Sequence, residues 1–246
     1  MIKENIIAIR QELPPGVKLV AVSKFHPVEA IREAFDAGQR SFGENRPQEF
    51  ARKVEEVAAW LRGRDSDVRA IPLEGVQGVK GHEVPRNEVE WHFIGHLQTN
   101  KLKMVLPYAD LVQSVDSQHL LDAIQDWGKA NGKVIPILLE LHIGAEQTKS
   151  GFKEEEVLDI LFRADKYTHI RFRGLMGMAT HTDCEDDIRA DFARIADFNA
   201  YLDDLFPELP DFRELSIGMS GDWRIALDYG ATIVRIGTAI FGERQY

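Results

Sequence analysis

Short apolar runs alternate along the chain with amphipathic helical stretches, and this alternation is the feature that most constrains the fold. The runs are KLVAVSK (18–24), RSFGEN (40–45), EWHFIG (90–95), LVQSVDS (111–117), VIPILLELHI (134–143), FRGLMGM (172–178), ELSIGMS (214–220) and TIVRIGTAIFG (232–242). Because strands covered on both faces consist mostly of apolar residues, these runs predict a parallel sheet. Eight strands that alternate with helices are typical of a (β/α)8 barrel of the TIM type.

An open doubly wound sheet is the rival fold. It usually has fewer strands, and no G-x-G-x-x-G motif follows the first run. The helical stretches are Val28 to Gly38, 153–167 and 191–206, each with apolar residues on one face. Residues 2–13 are predicted to form a further helix, in the place of the eighth helix of the barrel. The prediction is one α/β barrel domain over residues 1–246.

One segment, Arg62 to Glu90, interrupts the alternation. It is polar and contains scattered glycine and proline residues, which are typical of a long surface loop. We interpret it as a surface-loop insertion before the third strand, and the alternative is a lid or a partner-binding loop.

Composition excludes several classes of function. The net charge of -10, without a block of lysine and arginine, argues against a nucleic-acid-binding surface. The single cysteine, Cys184, is compatible with a reducing cytosol, and no run has the length of a membrane span or the layout of a secretory signal. His92 and His96 have no third ligand in register, so no metal site is predicted. We expect a cytoplasmic protein.

The ends of the last two predicted strands have the composition of an anion site. GMSGDWRIALDYG places Gly218, Ser220 and Gly221 just before a short helix that begins near Asp222, and RIGT adds Gly237 and Thr238. Free backbone N–H groups at such a turn bind phosphate, and phosphate sites in these barrels often follow strands seven and eight. The alternative is that the glycines only turn the chain and that Ser220 caps the helix.

Lys24 ends the first apolar run, where a parallel barrel places its functional residues. An ordinary solvated lysine is one interpretation. A lysine close to a phosphate site also allows a Schiff base, either with a sugar-phosphate carbonyl, as in an aldolase, or with the aldehyde of pyridoxal 5'-phosphate (PLP).

Several motifs match a known family in the same order. They are AVSK (21–24), GEN (43–45), WHFIGHLQTNK (91–101), SVDS (114–117), IGAEQTKSGF (143–152), GLMGM (174–178), LSIGMSGD (215–222) and TIVRIGTAIFG (232–242). With them the chain resembles the YggS/PROSC-type pyridoxal phosphate homeostasis proteins, which share the barrel domain of alanine racemase. The resemblance covers the chain except Arg62 to Glu90 and implies the type III PLP-binding fold without the C-terminal β-domain of the racemase.

The resemblance also implies roles for individual residues. Lys24 would hold PLP as a Schiff base, Arg235 would face the pyridine nitrogen and Asn45 would lie beside the ring. The phosphate would be bound by Ser220, Gly237 and Thr238, with help from the backbone of Met219 to Gly221. His92, His96 and Met178 would line the pocket.

Arg235 has a consequence for chemistry. A guanidinium only donates hydrogen bonds, so it leaves the pyridine nitrogen unprotonated and the ring a poor electron sink. The second base that the racemase takes from its extra domain has no counterpart here, because Tyr246 is a poor candidate. These points favour a non-catalytic carrier in PLP homeostasis, with apo PLP-dependent enzymes as candidate recipients and a monomeric state. The alternative is a racemase-like PLP enzyme.

Overall fold

Eight parallel strands close into a barrel in the order in which they occur along the chain, in a computed structural model that describes residues 1–64, 88–144 and 150–243. The strands are β1 (Lys18–Val22), β2 (Ser41–Glu44), β3 (Glu90–Phe93), β4 (Leu111–Val115), β5 (Ile135–Glu140), β6 (Ile170–Met176), β7 (Glu214–Ser216) and β8 (Ile233–Ile236). β8 pairs with β1, which completes the ring. The predicted barrel is confirmed.

Helices connect the strands and cover the outside of the barrel. They are α1 (Ile2–Glu12), α2 (Val28–Asp36), α3 (Pro47–Arg64), α4 (Leu102–Val105), α5 (Gln118–Asn131), α6 (Glu154–Leu161), α7 (Glu185–Leu205), α8 (Trp223–Asp228) and α9 (Thr238–Phe241). The spacing of the apolar residues explains the packing, since Val28, Ile31 and Phe35 of α2 are all buried. None of the described helices combines the length and the hydrophobicity needed to cross a membrane.

The structure differs from the sequence prediction at three boundaries. The run 232–242 is a strand only to Ile236, because the N–H of Gly237 donates to Ser220 Oγ and the chain turns there into α9. α7 begins at Glu185, six residues earlier than predicted, where acidic side chains favour a helix start. α6 ends at Leu161, and the predicted remainder continues as a separate 3-10 turn.

The predicted surface loop Arg62 to Glu90 also starts later in the structure. α3 continues to Arg64, and Glu90 already belongs to β3. Residues 65–87, which make up most of that segment, lie outside the described residues.

The N-terminal helix lies beside α9, close to the position of a helix that would follow β8. Asn5 Nδ2 donates to the backbone oxygen of Ile240 at 2.9 Å. Arg224 of α8 donates from Nε and Nη2 to the two carboxylate oxygens of Glu12, at 2.6 and 2.7 Å. α1 therefore joins the beginning of the chain to its last two helices.

Apolar residues form two clusters, one on each side of the sheet. The larger cluster lies between the strands and the helices. The smaller one consists of Val20, Leu111, Leu138, Met176 and Ile233. Strand residues alternate between the two faces of the sheet, so this second cluster occupies the barrel interior. It is small because polar side chains fill the remaining interior positions.

Gly174 provides a test of the close approach between β6 and β7. It has φ of 142°, and a Cβ at this position would lie 1.9 Å from the backbone oxygen of Glu214, its partner in the ladder. We expect Gly174→Ala to lower the free energy of unfolding by about 3 kcal/mol or more, from backbone strain and displacement of β7.

Gly230→Ala is the matched control, measured by the same urea denaturation. Gly230 also has positive φ, of 77°, but no atom lies within 4 Å of its added Cβ. Its substitution should cost only about 1 kcal/mol, the penalty for the left-handed conformation. Equal costs for both variants would contradict the close approach of the two strands.

Candidate functional site

Four neighbouring strands end on the same side of the barrel and bring most of the predicted site residues together. β1 pairs with β8 through Val20 and Arg235 and with β2 through Val22 and Gly43, and β7 pairs with β8. Because the strands are parallel, their carboxyl ends lie side by side. This end of the barrel carries Lys24, Asn45, Ser220, Gly221, Arg235, Gly237 and Thr238.

The turn after β7 and the start of α9 form a cradle of backbone N–H groups. Ser220 Oγ accepts from the N–H of Gly237 at 3.1 Å and, at 3.5 Å, from that of Ala239, which ties the two segments together. Within the described parts of the chain, the backbone N–H groups of Ser220, Gly221 and Thr238 have no hydrogen-bond acceptor. Three neighbouring unpaired donors suit an anion with several oxygens.

Met219 differs from its predicted role in this cradle. Its N–H donates to Asp222 Oδ1, so the Met219 amide is already satisfied within the turn. Burial raises the pKa of Asp222, although the Met219 N–H and the charge of Arg235 act in the opposite direction. Asp222 therefore shapes the turn, while the side chain of Met219 is exposed.

Lys24 is partly buried and lies between two residues whose backbone is held by α3. Lys53 Nζ donates to the backbone oxygen of Ser23 at 2.7 Å, and the N–H of Phe25 donates to Glu49 Oε1 at 3.1 Å. Phe25 has φ of 67°, which is uncommon for a residue with a side chain. The position of Lys24 thus depends on contacts made by its two neighbours.

A fully buried ion pair lies beneath this loop. Lys53 Nζ is 2.7 Å from Glu44 Oε1 and 2.8 Å from Glu49 Oε1, and Ser23 Oγ also donates to Glu44 at 2.6 Å. Burial raises the pKa of Glu44, and the charge and hydrogen bond of Lys53 only partly offset that effect. Our sequence analysis missed Lys53. The available signal was its place on the apolar face of α3, four residues after Glu49.

Arg235 is buried inside the end of the barrel. Its Nη1 donates to the backbone oxygen and to Oγ of Ser216, both at 2.7 Å, and its Nη2 donates to the backbone oxygen of Gly177 at 2.9 Å. Burial lowers its pKa to about 10, against the attraction of Glu140 and Asp222. The guanidinium remains charged at neutral pH and is fixed in orientation.

Glu140 is a further buried acid at this end, on β5. Burial and the nearby charge of Asp116 raise its pKa to about 7, against the opposing effects of Arg235 and of a hydrogen bond with Ser150. Asp116 Oδ2 lies 2.7 Å from His96 Nδ1, whose ring is exposed. His96 therefore lies on the rim of the site. Sequence analysis missed Glu140, although an acid within the apolar run ILLELHI was the available signal.

The remaining predicted residues lie at different depths. Asn45 Oδ1 is buried without a hydrogen-bond partner in the described structure, and Gly95 packs directly on the Asn45 backbone. Met178 contacts the apolar cluster in the barrel interior. His92 is fully buried within the barrel, deeper than the predicted pocket lining. Among the described residues, no group of His, Cys, Asp and Glu is arranged to hold a metal ion.

Comparison with known proteins identifies the family. The model of the alanine racemase N-terminal domain matches residues 1–245. A pyridoxal phosphate homeostasis protein of Vibrio alginolyticus is 35% identical over 233 residues, which cover 95% of this chain and 89% of that protein. The chain belongs to the family of the pyridoxal phosphate homeostasis proteins, which have the alanine racemase N-terminal domain. The resemblance that the motifs indicated is thus confirmed.

Solved structures agree with this assignment. PipY of Synechococcus elongatus, in a structure with PLP bound, has a TM-score of 0.77 and 32% identity, and the match covers 98% of this chain and all of that chain. Alanine racemase from Corynebacterium glutamicum has a TM-score of 0.67 and 18% identity, and the match covers 99% of this chain and 60% of that chain. The second likeness shows a shared barrel fold.

The buried ion pair under Lys24 should be important for stability. We expect Lys53→Met to lower the free energy of unfolding by about 3–5 kcal/mol, because it leaves Glu44 buried without its cation. Arg52→Met is the control, since its pair with Glu56 on the same helix is largely exposed and should be worth at most about 0.5 kcal/mol. Similar losses for the two variants in urea denaturation would contradict the role of Lys53.

Glu140 should make stability depend on pH. The folded protein binds the proton of Glu140 more tightly than the unfolded chain, whose ordinary pKa is 4.5. Protonated Glu140 therefore contributes up to about 3 kcal/mol to the free energy of unfolding. This contribution is fully present below about pH 4.5 and is lost as the pH rises to about 7.

The measurement is the free energy of unfolding at pH 5 and at pH 8, without added ligand. We expect Glu140→Gln to remove this part of the difference between the two values. Glu155→Gln, on the exposed side of α6, should leave the difference unchanged. A wild-type difference that persists in Glu140→Gln would show that another group causes it.

Proposed function

We propose that this protein binds PLP and acts in PLP homeostasis, with Lys24 as the residue that holds the cofactor. The observation that carries the proposal is the meeting of four strand ends, because Lys24 follows β1 and the unpaired amides of Ser220, Gly221 and Thr238 follow the neighbouring strands β7 and β8. A lysine next to an anion cradle matches the two reactive ends of PLP, its aldehyde and its phosphate. The relatives' names and the PLP bound to PipY support the same ligand.

The residues present fit this ligand. When bound, PLP supplies an aldehyde and an electron-accepting ring. Lys24 would hold the aldehyde end through its amine, since a lysine amine condenses with an aldehyde and releases one water. The cradle amides and the Ser220 hydroxyl would hold the phosphate oxygens, and the unpaired Oδ1 of Asn45 would offer an acceptor next to the ring.

Arg235 supports a carrier rather than an enzyme. Its fixed guanidinium would donate to the ring nitrogen, and a nitrogen held by a donor that cannot give up its proton would stay unprotonated and withdraw electrons weakly. The ring then gives little help to the removal of a substrate proton. The function we propose is therefore reversible storage and release of PLP, with apo PLP-dependent enzymes as recipients.

We further propose a monomeric protein of the cytoplasm. The free and exposed thiol of Cys184 supports a reducing compartment. Size-exclusion chromatography with light scattering tests the monomer, for which one chain of 27.9 kDa is expected.

The absorbance spectrum tests the proposed ligand and its attachment. We expect the protein mixed with PLP to develop the absorption band of a Schiff base, and borohydride to fix the cofactor on a peptide that contains Lys24. Lys24→Ala should lose the band and the labelled peptide, whereas the control Lys129→Ala, exposed in the last turn of α5, should keep both. If the wild type shows no band, or if the label is found on another lysine, the proposal fails.

Two alternatives have outcomes of their own. A racemase-like enzyme would exchange the α-proton of amino acids in deuterated water at ordinary enzymatic rates, with Glu140 as a candidate base. An aldolase would be trapped on Lys24 by borohydride with a sugar phosphate and no PLP. Either result would replace the carrier function.

A further inference from the structure

Polar side chains inside the barrel form a continuous chain that begins at Arg235. Arg235 Nη1 donates to Ser216 Oγ at 2.7 Å, and Ser216 Oγ donates to Gln113 Oε1 at 2.7 Å. Gln113 Nε2 lies 2.6 Å from His92 Nδ1. Because β4 and β7 are not neighbours in the sheet, the hydrogen bond between Gln113 and Ser216 crosses the barrel interior.

The chain ends at Glu90, the first residue of β3. His92 Nε2 lies 3.1 Å from Glu90 Oε1 but off the line of the ring N–H, so this last contact is electrostatic. Lys18 Nζ donates to the same oxygen at 2.6 Å, and Ser41 Oγ donates to the other at 2.7 Å. Burial alone would raise the pKa of Glu90, but the donors around its carboxylate hold it well below its ordinary value.

The hydrogen bonds in this chain have a fixed direction. Arg235 can only donate, so Ser216 Oγ accepts from it and needs an acceptor for its own proton. Gln113 Oε1 provides that acceptor, which turns Gln113 Nε2 toward His92. His92 Nδ1 must then accept a hydrogen bond, and the proton of the imidazole lies on Nε2, facing Glu90.

The direction of the chain also fixes the number of protons on the His92 ring. His92 is fully buried, and Glu90 already has a cationic partner in Lys18. Arg235 is also a buried cation, connected to His92 through the same chain. A ring nitrogen that accepts a hydrogen bond carries no proton, so the acceptor role of Nδ1 leaves the imidazole with one proton and no charge.

We propose that Gln113 and His92 are positioning residues for Arg235, holding its guanidinium through this one-way chain, with His92 as the neutral tautomer protonated on Nε2. Gln113 keeps the Ser216 hydroxyl proton directed away from Arg235, so that Ser216 Oγ remains an acceptor. Without Gln113 the Ser216 hydroxyl proton has no acceptor, turns toward Arg235 and displaces the guanidinium. The consequence of this positioning for the bound cofactor rests on the proposed function, in which Arg235 faces the ring nitrogen of PLP.

The first experiment uses the protein without PLP and is therefore independent of the proposed function. Histidine labelled with ¹⁵N reports by NMR which ring nitrogen carries the proton, and His92→Gln assigns the signal among eight histidines. We expect Nδ1 without a proton and Nε2 with one at neutral pH. In Gln113→Glu the introduced carboxylate only accepts, so we expect a proton on Nδ1.

The second experiment uses the PLP-loaded protein and its absorbance as a function of pH. We expect Gln113→Leu to move the midpoint of the spectral change by about one pH unit, because a displaced guanidinium no longer stabilises the same charge on the cofactor. Val112→Ala is the control, since Val112 is buried on the same strand but faces the helices. It should lose stability without moving the midpoint.

Each outcome decides one part of the proposal. Two protons on His92 in the wild type near pH 7, or a proton on Nδ1 alone, would overturn the direction of the chain. A midpoint in Gln113→Leu equal to that of Val112→Ala would overturn positioning, and Gln113→Glu provides the same comparison if the leucine variant does not fold. If the wild type binds no PLP, the proposed function fails, while the NMR result still decides the tautomer.

Discussion

The pairing of β1 with β8 is the constraint on which the rest of the molecule depends. Residues 18–21 lie opposite residues 233–236, and this ladder turns a row of strands into a closed barrel. Gly237 follows so closely that an added Cβ would lie 3.2 Å from the backbone oxygen of Val22. In an open sheet, the loop of Lys24 and the amide cradle would lie on opposite edges. Closure therefore creates the site, and no local feature of either segment does so.

Charged groups are buried in two places where apolar side chains usually pack, inside the end of the barrel and between α3 and the strands. Each of the buried cations has its own partners: Lys53 has two glutamates beneath the lysine loop, and Arg235 has two backbone carbonyls and a serine hydroxyl. Buried charges of this kind contribute little net stability, because desolvation offsets most of the attraction. Here they hold the backbone beside Lys24 and fix the plane of the guanidinium. These buried charges replace apolar packing, and they define the orientation of the Lys24 loop and of the Arg235 guanidinium at one end of the barrel.

The order of strands and the family could be predicted because apolar runs and short motifs are local properties of the sequence. Boundaries were harder to predict where one composition serves two structures, as in 232–242, where a hydrogen bond from Gly237 to the distant Ser220 marks the end of the strand at Ile236. Lys53 and Gln113 could not be found, because their roles arise from partners on other elements that meet only after closure. Their sequence signals, a lysine on an apolar helix face and a glutamine within a strand, have ordinary explanations when taken alone.

The distance along the chain between the two halves of the site has a consequence for synthesis. Asn5 and Ile240, which meet in the folded protein, are 235 residues apart. Chains emerge from the ribosome with the N-terminus first, so Lys24 is present long before the residues of β8 are made. Such long-range contacts also form late in folding. A chain truncated before β8 would contain most of the apolar core but would lack the closed end of the barrel. A ligand held between the Lys24 loop and the amide cradle would therefore distinguish complete chains from truncated ones.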